Sequence, residues 1–295
     1  MGPPSSNPDA IDLRKAIGRQ YSVPDTVASA TDMAAYARAT DDLNPRYLEG
    51  DVVAPPLFAV RLFHPLISVC CGDPELDLDM LRLVHGEQDM TWFDAIRPGE
   101  LVQLTGILES VAQKKTGCIV AWRLRASVAA APRVEARLSV FVRGQSLPGV
   151  PDGAVFGAVP KGGVGQPDGL PEMISTNLID PSHPGRYAEA SGDNNPIHLD
   201  ESVAQAAGLP TVILHGLCTM AMAVAGVVDE SLGGDASRLR RVAVRFSRPV
   251  LPGHEITTQL FSSDARPEGR NAYHLVTKNQ DGDVVIARGW VEVDA

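Results

Sequence analysis

An aspartate and a histidine five residues apart mark the part of this sequence that could carry out proton chemistry. They are Asp193 and His198, in a run rich in Gly, Asn and Pro where the backbone can bend both side chains toward one point. A carboxylate and a neutral imidazole that converge on one water molecule can act as base and acid near neutral pH. Asn195 could orient either partner. Taken alone, the same residues could also form an ordinary capping turn that satisfies local amides.

A second candidate element follows, where an apolar run stops at His215 and Gly216. The pattern predicts that a helix begins there. Amides at a helix N-terminus lack partners within the helix and carry partial positive charge, so the Gly216 amide is suited to a developing oxyanion. We expect His215 to border the substrate site in a structural role. Cys218 is interpreted as a small apolar residue of a buried helix rather than a nucleophile.

An internal repeat determines which parts of the chain must position these groups. Residues 36–48 line up with residues 187–199 and share Tyr, Ala, Asp, Asn, Pro and Leu in the same order. Pro-Gly and Ala-Arg pairs continue the correspondence in both halves. The chain is therefore predicted to be a tandem duplication.

The predicted domains are an N-terminal repeat, a linker rich in Gly and Pro, and a C-terminal repeat, over residues 1–143, 144–169 and 170–295. Helical character is predicted for residues 31–40, 183–191 and 216–229. Strand character is predicted for residues 101–109, 117–130, 134–142, 242–246 and 285–293. A central helix and an antiparallel sheet in each repeat give an α+β fold.

The motif YxxxSGDxNPxHxD, followed by an LHG element, resembles the signature of the MaoC-like, or hydratase 2, family of hotdog-fold enzymes. This resemblance covers nearly the whole chain from about residue 21. It implies a double hotdog and an (R)-specific enoyl-CoA hydratase that converts a trans-2-enoyl-CoA into a (3R)-hydroxyacyl-CoA. The family's catalytic groups fall on Asp193, Asn195 and His198, and its carbonyl-polarising amide falls on Gly216. It also implies no metal and no cofactor, since CoA is part of the substrate.

The N-terminal repeat departs from this motif at the position of the catalytic histidine. Tyr47 stands where the histidine should be, and Asp41 replaces the glycine. A phenol with a pKa near 10 substitutes poorly for an imidazole, so we expect this repeat to be inactive. Residues 53–68 contain three prolines, and by resemblance this repeat is expected to give up its central helix to make room for the acyl chain. His85-Gly-Glu-Gln88 resembles an element of two-repeat hydratases and is interpreted as structural or as lining the acyl tunnel.

Cations are needed to bind the phosphates of CoA. The candidates are Arg245 and Arg248, in a run similar to the family's VRFxxPVxPG segment, together with Lys114 and Lys115. Each of the four could instead be an ordinary solvated surface charge.

Composition limits the remaining classes. The net charge is −10 over 295 residues, which disfavours a nucleic-acid-binding protein. No apolar stretch is long enough to span a membrane, and the first ten residues do not resemble a secretory signal. Four cysteines without metal-ligand spacing favour reduced thiols, so a cytoplasmic protein is expected. The two repeats could form one pseudo-dimeric unit that then forms a homodimer.

Three other functions stay open on the sequence. An acyl-CoA thioesterase of the same fold would normally use an acidic residue on the central helix, without the Asp/His turn. A (3R)-hydroxyacyl-acyl carrier protein dehydratase would use the same residues on another carrier. A non-catalytic acyl-binding protein is disfavoured because His198 is retained.

Overall fold

The computed structural model describes residues 16–50, 52–147 and 169–295. Its helices are α1 Ala30–Ala39, α2 Pro45–Leu48, α3 Ala59–Cys71, α4 His183–Ser191, α5 Glu201–Ala206 and α6 Gly216–Leu232. Its strands are β1 Gln20–Ser22, β2 Thr26–Val27, β3 Leu83–Trp92, β4 Leu101–Lys114, β5 Gly117–Val128, β6 Ala131–Arg143, β7 Met173–Leu178, β8 Leu239–Phe246, β9 Glu255–Ser262, β10 Asn271–Asn279 and β11 Val284–Val293. The predicted α+β arrangement is confirmed.

One antiparallel sheet runs through both repeats, in the order β1-β4-β5-β6-β3-β8-β11-β10-β9-β7, with β2 beside β4. Its strands form where apolar and polar residues alternate, as in β4, which buries Val102, Leu104, Gly106 and Leu108 and exposes the residues between them. The buried face packs against α3 in the N-terminal repeat and against α6 in the C-terminal repeat. Each repeat therefore has its own central helix.

The two repeats meet through β3 and β8, which pair symmetrically. Asp89 lies opposite Ala243, Glu87 lies opposite Arg245, and Thr91 lies opposite Arg241. A shift of 154 residues converts each of these pairs into its mirror, so a pseudo-two-fold axis passes through the central pair. The repeats also meet where the buried hydroxyls of Tyr36 and Tyr187 lie 3.2 Å apart.

Helix α6 is apolar around almost its whole circumference, which is typical of a helix enclosed by other elements. It approaches β7 closely at Gly226, where an added Cβ would lie 2.8 Å from the side chain of Ser175. Gly233, at φ +62°, then ends the helix in the left-handed conformation that glycine adopts most easily.

The expected loss of the central helix in the N-terminal repeat is wrong. Residues 59–71 form α3, which has 13 residues against 17 in α6. Pro65 removes one backbone hydrogen bond inside this helix. The buried side chains of Leu62, Phe63, Leu66 and Cys70 offset that loss, because burial of an apolar face contributes more to a helix in a protein than local propensity.

The predicted linker lies mostly outside the described residues, and so do the first 15 residues. Strand β6 ends at Arg143 and β7 begins at Met173, so the proposed domain boundaries stay predictions. Within the described part of the chain, no helix is long and apolar enough to cross a membrane.

Candidate active site

The Asp193 turn begins where α4 ends at Ser191. Gly192 has φ +82° and reverses the chain, and Asp193 then accepts a hydrogen bond from the amide of Asn195 at 3.2 Å. Asn195 in turn accepts from the amide of Ile197 at 3.3 Å. The capping turn considered from the sequence is therefore present. It engages Oδ1 of Asp193 and leaves Oδ2 without a protein partner among the described residues.

His198 ends the short 3₁₀ turn Pro196–His198 and is buried. Its Nδ1 lies 2.8 Å from the carbonyl oxygen of Ile213, which can only accept, so Nδ1 donates and carries a proton. In the neutral ring, Nε2 is then an acceptor. Burial lowers the pKa of His198 below 6.5, an effect opposed by the bond to Ile213 and by the charge of Asp193. The imidazole is therefore neutral at pH 7 and can accept a proton.

His215 supports both groups. Its ring stacks on that of His198 with centroids 3.7 Å apart, and its Nε2 donates to the backbone oxygen of Asp193 at 3.0 Å. Its buried Nδ1 has no partner in the described structure. Burial and the neighbouring His198 lower the pKa of His215 to about 4. A neutral, buried His215 that fixes its neighbours fits the structural role expected for it.

Asp193, His198 and His215 also offer ligand atoms within 4.8 Å of one another, as a metal site would. The stacked rings argue against that use. A metal ion binds an imidazole nitrogen in the plane of the ring, whereas an ion between stacked rings would approach both nitrogens from above their planes. The trio is better suited to acid–base chemistry.

Gly216 is the first residue of α6, and His215 at its N-cap makes no side-chain cap. The Gly216 amide donates to no protein acceptor among the described residues, as expected for the first turn of a helix. The ring of Phe246 covers this glycine so closely that an added Cβ would lie 3.1 Å from a ring carbon. A small carbonyl group can approach the amide here only because residue 216 lacks a side chain.

The N-terminal repeat contributes residues beside this site. The ring of His85 meets Phe246 at a centroid distance of 5.0 Å, and the charge of Asp193 acts on it. His64 on α3 lies over Gly192, where an added Cβ would be 3.5 Å from its Nδ1. Arg61 donates to the carbonyl oxygen of Ala190 at 2.9 Å. The sequence does not identify His64, because this residue lies in the run of three prolines that was expected to lack a helix, and no local pattern links it to Asp193.

The cations predicted to bind phosphate are dispersed. Arg245 on β8 lies 3.8 Å from Glu87, and Arg248 lies 3.2 Å from Asp283; both arginines are exposed. Lys114 ends β4, and Lys115 follows it in the exposed turn to β5. Because β4 is four strands away from β8, the sheet does not place the lysines beside the arginines.

The N-terminal repeat contains the same turn with different chemistry. Asp42 accepts from the amide of Asn44 at 3.3 Å, and Asn44 accepts from the amide of Arg46 at 3.1 Å. Tyr47 occupies the position of His198, and its buried hydroxyl has no partner in the described structure. A cavity of about 740 Å³ borders this turn, and its walls include Tyr47, Ala54, Trp92, Phe93, Leu239 and Arg240.

The aspartate that replaces the glycine has a structural use. Asp41 takes the left-handed conformation at φ +53°, which aspartate tolerates better than most residues. Its carboxylate bonds Nε2 of His183 at 2.8 Å and Arg186 at 3.2 Å, both in α4. The substitution thus joins the two repeats.

Each of the two repeats matches a different known family. Residues 165–283 match the family described as MaoC like domain, and residues 15–130 match the family described as FAS1-like, dehydratase domain region. The mouse peroxisomal multifunctional enzyme type 2 is 29% identical over 222 residues, which are 75% of this chain and 29% of that protein. The chain thus spans less than a third of the mouse protein.

Two further likenesses extend over nearly the whole chain. The enoyl-CoA hydratase ChsH3 of Mycobacterium tuberculosis is 26% identical over 288 residues, which are 94% of this chain and 97% of that one. The crystal structure of a MaoC-like dehydratase from Phytophthora capsici superposes with a TM-score of 0.83 at 21% identity and covers 96% of this chain and 98% of that one. The predicted double-hotdog fold is confirmed.

Proposed function

We propose that this chain, which belongs to the MaoC-like dehydratase family, is an (R)-specific trans-2-enoyl-CoA hydratase. It adds water reversibly, with syn geometry, to give a (3R)-hydroxyacyl-CoA. One observation carries the proposal: a carboxylate oxygen of Asp193 and a ring nitrogen of His198 lie within 4.8 Å of each other and of His215, the residue that directly precedes the open amide of Gly216. The similarity to the mycobacterial protein, which is named an enoyl-CoA hydratase, supports the same reaction.

Asp193 and His198 hold the attacking water. His198 Nε2 accepts one proton as the water oxygen bonds to C3 of the enoyl group, and the π electrons of the double bond move onto the thioester. The proton then passes to C2, which restores the neutral imidazole and completes the addition of one water molecule. Because one pair of groups on one face of the substrate delivers both oxygen and proton, the addition is syn.

The Gly216 amide stabilises the charge that develops on the thioester oxygen. In the transition state this oxygen has enolate character, and the first amide of α6 combines an unpaired N–H with the positive end of the helix dipole. A single donor of this kind is typically worth about 3–4 kcal/mol. Asn195 is proposed to maintain the turn that aims Asp193, since its side chain is engaged with the backbone of Ile197.

The central helix argues against a thioesterase. The first acidic residues of α6 are Asp229 and Glu230, more than three turns from Gly216. Helix α3 contains no acidic residue. No carboxylate on either central helix is therefore placed at the site to direct water onto a thioester carbonyl.

The proposal also covers the cofactor requirement, the cellular compartment, the oligomeric state and the contacts with CoA. General acid–base chemistry needs neither a metal nor a redox cofactor, so none is proposed. The four cysteines are buried and free, which fits a reducing cytoplasm. A homodimer built from two such chains is proposed, and light scattering of the purified protein tests it.

The proposed contacts for the CoA phosphates are the exposed Arg245 and Arg248 at the end of β8, with Lys114 and Lys115 as further candidates.

The proposal is tested by following the loss of enoyl-thioester absorbance with crotonyl-CoA and with a long-chain trans-2-enoyl-CoA. We expect hydration to a (3R)-product without release of free CoA, and near-complete loss of activity in Asp193→Asn and His198→Ala. The other repeat supplies matched controls, because Asp42→Asn and Tyr47→Phe change the corresponding turn. Activity that persists in Asp193→Asn and in His198→Ala would refute the assignment of these two residues as catalytic. Turnover confined to acyl carrier protein substrates would favour the dehydratase.

A further inference from the structure

The cavity beside Tyr47 lies away from the proposed hydratase site. Its volume of about 740 Å³ falls within the range of small-molecule sites. It borders Arg240 near the start of β8, whereas the hydratase site borders Phe246 at the end of the same strand. These two residues are six positions apart, which corresponds to roughly 20 Å in an extended strand. None of the proposed catalytic residues lines this cavity.

The internal repeat places the cavity where the other repeat has its active site. Tyr47 corresponds to His198 in the Asp-Asn-Pro turn, and the 154-residue shift of the β3–β8 register matches Trp92 with Phe246. The N-terminal repeat has therefore kept a concave site at this position of the fold, with a phenol in place of the imidazole. A phenol can form hydrogen bonds but is not a base near pH 7.

The hydroxyl of Tyr47 is a buried polar group without a partner. The side chain is fully buried, and its hydroxyl has no hydrogen-bond partner in the described structure. Buried polar atoms in folded proteins almost always have one. Burial, followed by the charges of Asp42 and Asp229, raises the pKa of Tyr47, so the hydroxyl keeps its proton. A neutral hydrogen-bond donor therefore lies at the border of the cavity.

The cavity walls offer mainly apolar surface. Ala54, Trp92 and Leu239 are among the residues that line it. The indole N–H of Trp92 already donates to the carbonyl oxygen of Pro56 at 2.9 Å, so this residue presents ring carbons rather than a free donor. The half-exposed ring of Phe93 adds apolar surface to the same wall. The body of a fitting ligand is therefore apolar.

The charged groups around the cavity disfavour an anionic ligand. Three arginines and three acids line it. Arg46 donates to Asp235 at 2.7 Å, and Arg240 donates to Asp294 at 2.8 Å. A carboxylate or phosphate would compete with these acids for the arginines. Near Tyr47 it would also meet the negative charges that help to raise the pKa of that residue.

We propose that this cavity is a second ligand site, which binds an uncharged, mainly apolar molecule through a hydrogen bond from Tyr47 to a carbonyl or hydroxyl oxygen of the ligand. The inference does not rest on the proposed hydratase function, because the two sites use different residues. It gives the N-terminal repeat a binding role that is separate from catalysis.

The test uses 2-nonanone, a neutral ketone, in calorimetric titrations of the full chain. We expect one ketone to bind per chain, with an affinity that added butyryl-CoA does not change. Octanoate, an anion of similar size, should bind at least tenfold more weakly.

Three variants locate the ketone. Tyr47→Phe removes only the hydroxyl, so it should weaken binding roughly fivefold without lowering the melting temperature. Ala54→Phe fills part of the cavity and should abolish binding. His198→Ala is the matched control at the other turn and should bind the ketone as the wild type does.

Several results would overturn this inference. Equal affinity of wild type and Tyr47→Phe would show that the hydroxyl does not contact the ligand. Displacement by butyryl-CoA, or loss of binding in His198→Ala, would place the ketone at the catalytic turn instead. A higher KM of Ala54→Phe for a long-chain trans-2-enoyl-CoA, with the KM for crotonyl-CoA unchanged, would make the cavity the far end of the acyl site.

The remaining outcomes separate this inference from the proposed function. A wild-type protein that binds no ketone, or that binds octanoate equally well, overturns the second site and leaves the hydratase assay unaffected. A protein that binds the ketone with the expected pattern but hydrates no enoyl-CoA refutes the hydratase and supports the second site.

Discussion

The charge state of His198 sets the pH range in which the proposed chemistry can operate. The ring must be neutral to accept a proton from water, and burial lowers its pKa below 6.5. We therefore expect kcat/KM to rise with pH through an acid limb whose midpoint lies below 6.5 and to level off above it. Initial rates with crotonyl-CoA across pH 4.5 to 8 check this, with circular dichroism at each pH to detect unfolding. A midpoint above 7 would exclude His198 as the titrating base.

The corresponding acid in the other repeat affects stability rather than activity. Burial raises the pKa of Asp42 to about 7, from 3.8. Between pH 3.8 and about 7 the folded protein keeps a proton that the unfolded chain has released. The free energy of unfolding therefore falls as the pH rises through this range. At pH 8 the folded protein must bury an ionised carboxylate.

Asp42→Asn should therefore stabilise the protein at pH 8 by about 2 kcal/mol, and by less at pH 5. The amide side chain can still accept the hydrogen bond from Asn44 that holds the turn. Urea unfolding at the two pH values measures the difference. A variant that is equally stabilised at both would show that the gain does not come from ionisation.

At the scale of elements, the site depends on how closely α6 begins beside β8. The Gly216 amide is accessible only because residue 216 has no side chain, and the ring of Phe246 lies where a Cβ would project. Gly216→Ala should lower kcat by roughly 10- to 100-fold, because the methyl group displaces either the ring or the substrate carbonyl.

A second substitution makes this prediction specific. Phe246→Leu provides room beside residue 216, so the double variant should recover part of the kcat lost in Gly216→Ala. Steady-state kinetics of both single variants and of the double variant give the coupling between the two positions. Strictly additive losses would indicate that the ring and the glycine act independently.

The elements also show what the sequence can and cannot predict. Alternation in β4 and the continuous apolar run of α6 are local patterns, and both elements were correctly predicted. Helix α3 was missed because Pro65 reads as a breaker, whereas its stability comes from packing against strands distant in sequence. The turn around Asp193 was visible because its chemistry lies within one short motif.

The contribution of the N-terminal repeat to the site could not be read from local patterns. His64 and His85 reach the neighbourhood of Asp193 only through the packing of α3 and the pairing of β3 with β8. Four of the seven histidines in the chain, at positions 64, 85, 198 and 215, thus gather around one turn. The sequence singled out His85 only through the resemblance of residues 85–88 to an element of two-repeat hydratases, and it gave no signal for His64.

The two repeats have nearly the same backbone arrangement, but they differ in the side chains around their turns. Several side-chain contacts join the two repeats. They include the hydroxyls of Tyr36 and Tyr187 and the paired hydrogen bonds from Arg241 to the buried Asp89. The asymmetry lies in the side chains around the two turns. The Asp193 turn has the imidazoles of His198 and His215 and the open amide of Gly216 beside it. The corresponding positions of the N-terminal repeat hold Tyr47, Phe58 and Leu239.

This view predicts that one substitution cannot create a second active site. In an Asp193→Asn background, Tyr47→His restores the Asp/His pair in the N-terminal repeat. The start of α3 still has Phe58 and Ala59, where the start of α6 has His215 and Gly216. Leu239 also remains at the position that corresponds to His85 in the β3–β8 register. Ala59 carries a methyl group where Gly216 has no side chain, and Phe58 takes the position of His215, whose imidazole stacks on His198 in the C-terminal repeat. Hydration of crotonyl-CoA should therefore stay at the background level of Asp193→Asn, while Ala59→Gly and Phe58→His added together should raise it measurably. Full recovery from Tyr47→His alone would mean that the Asp/His pair suffices and that the surrounding side chains contribute only to folding.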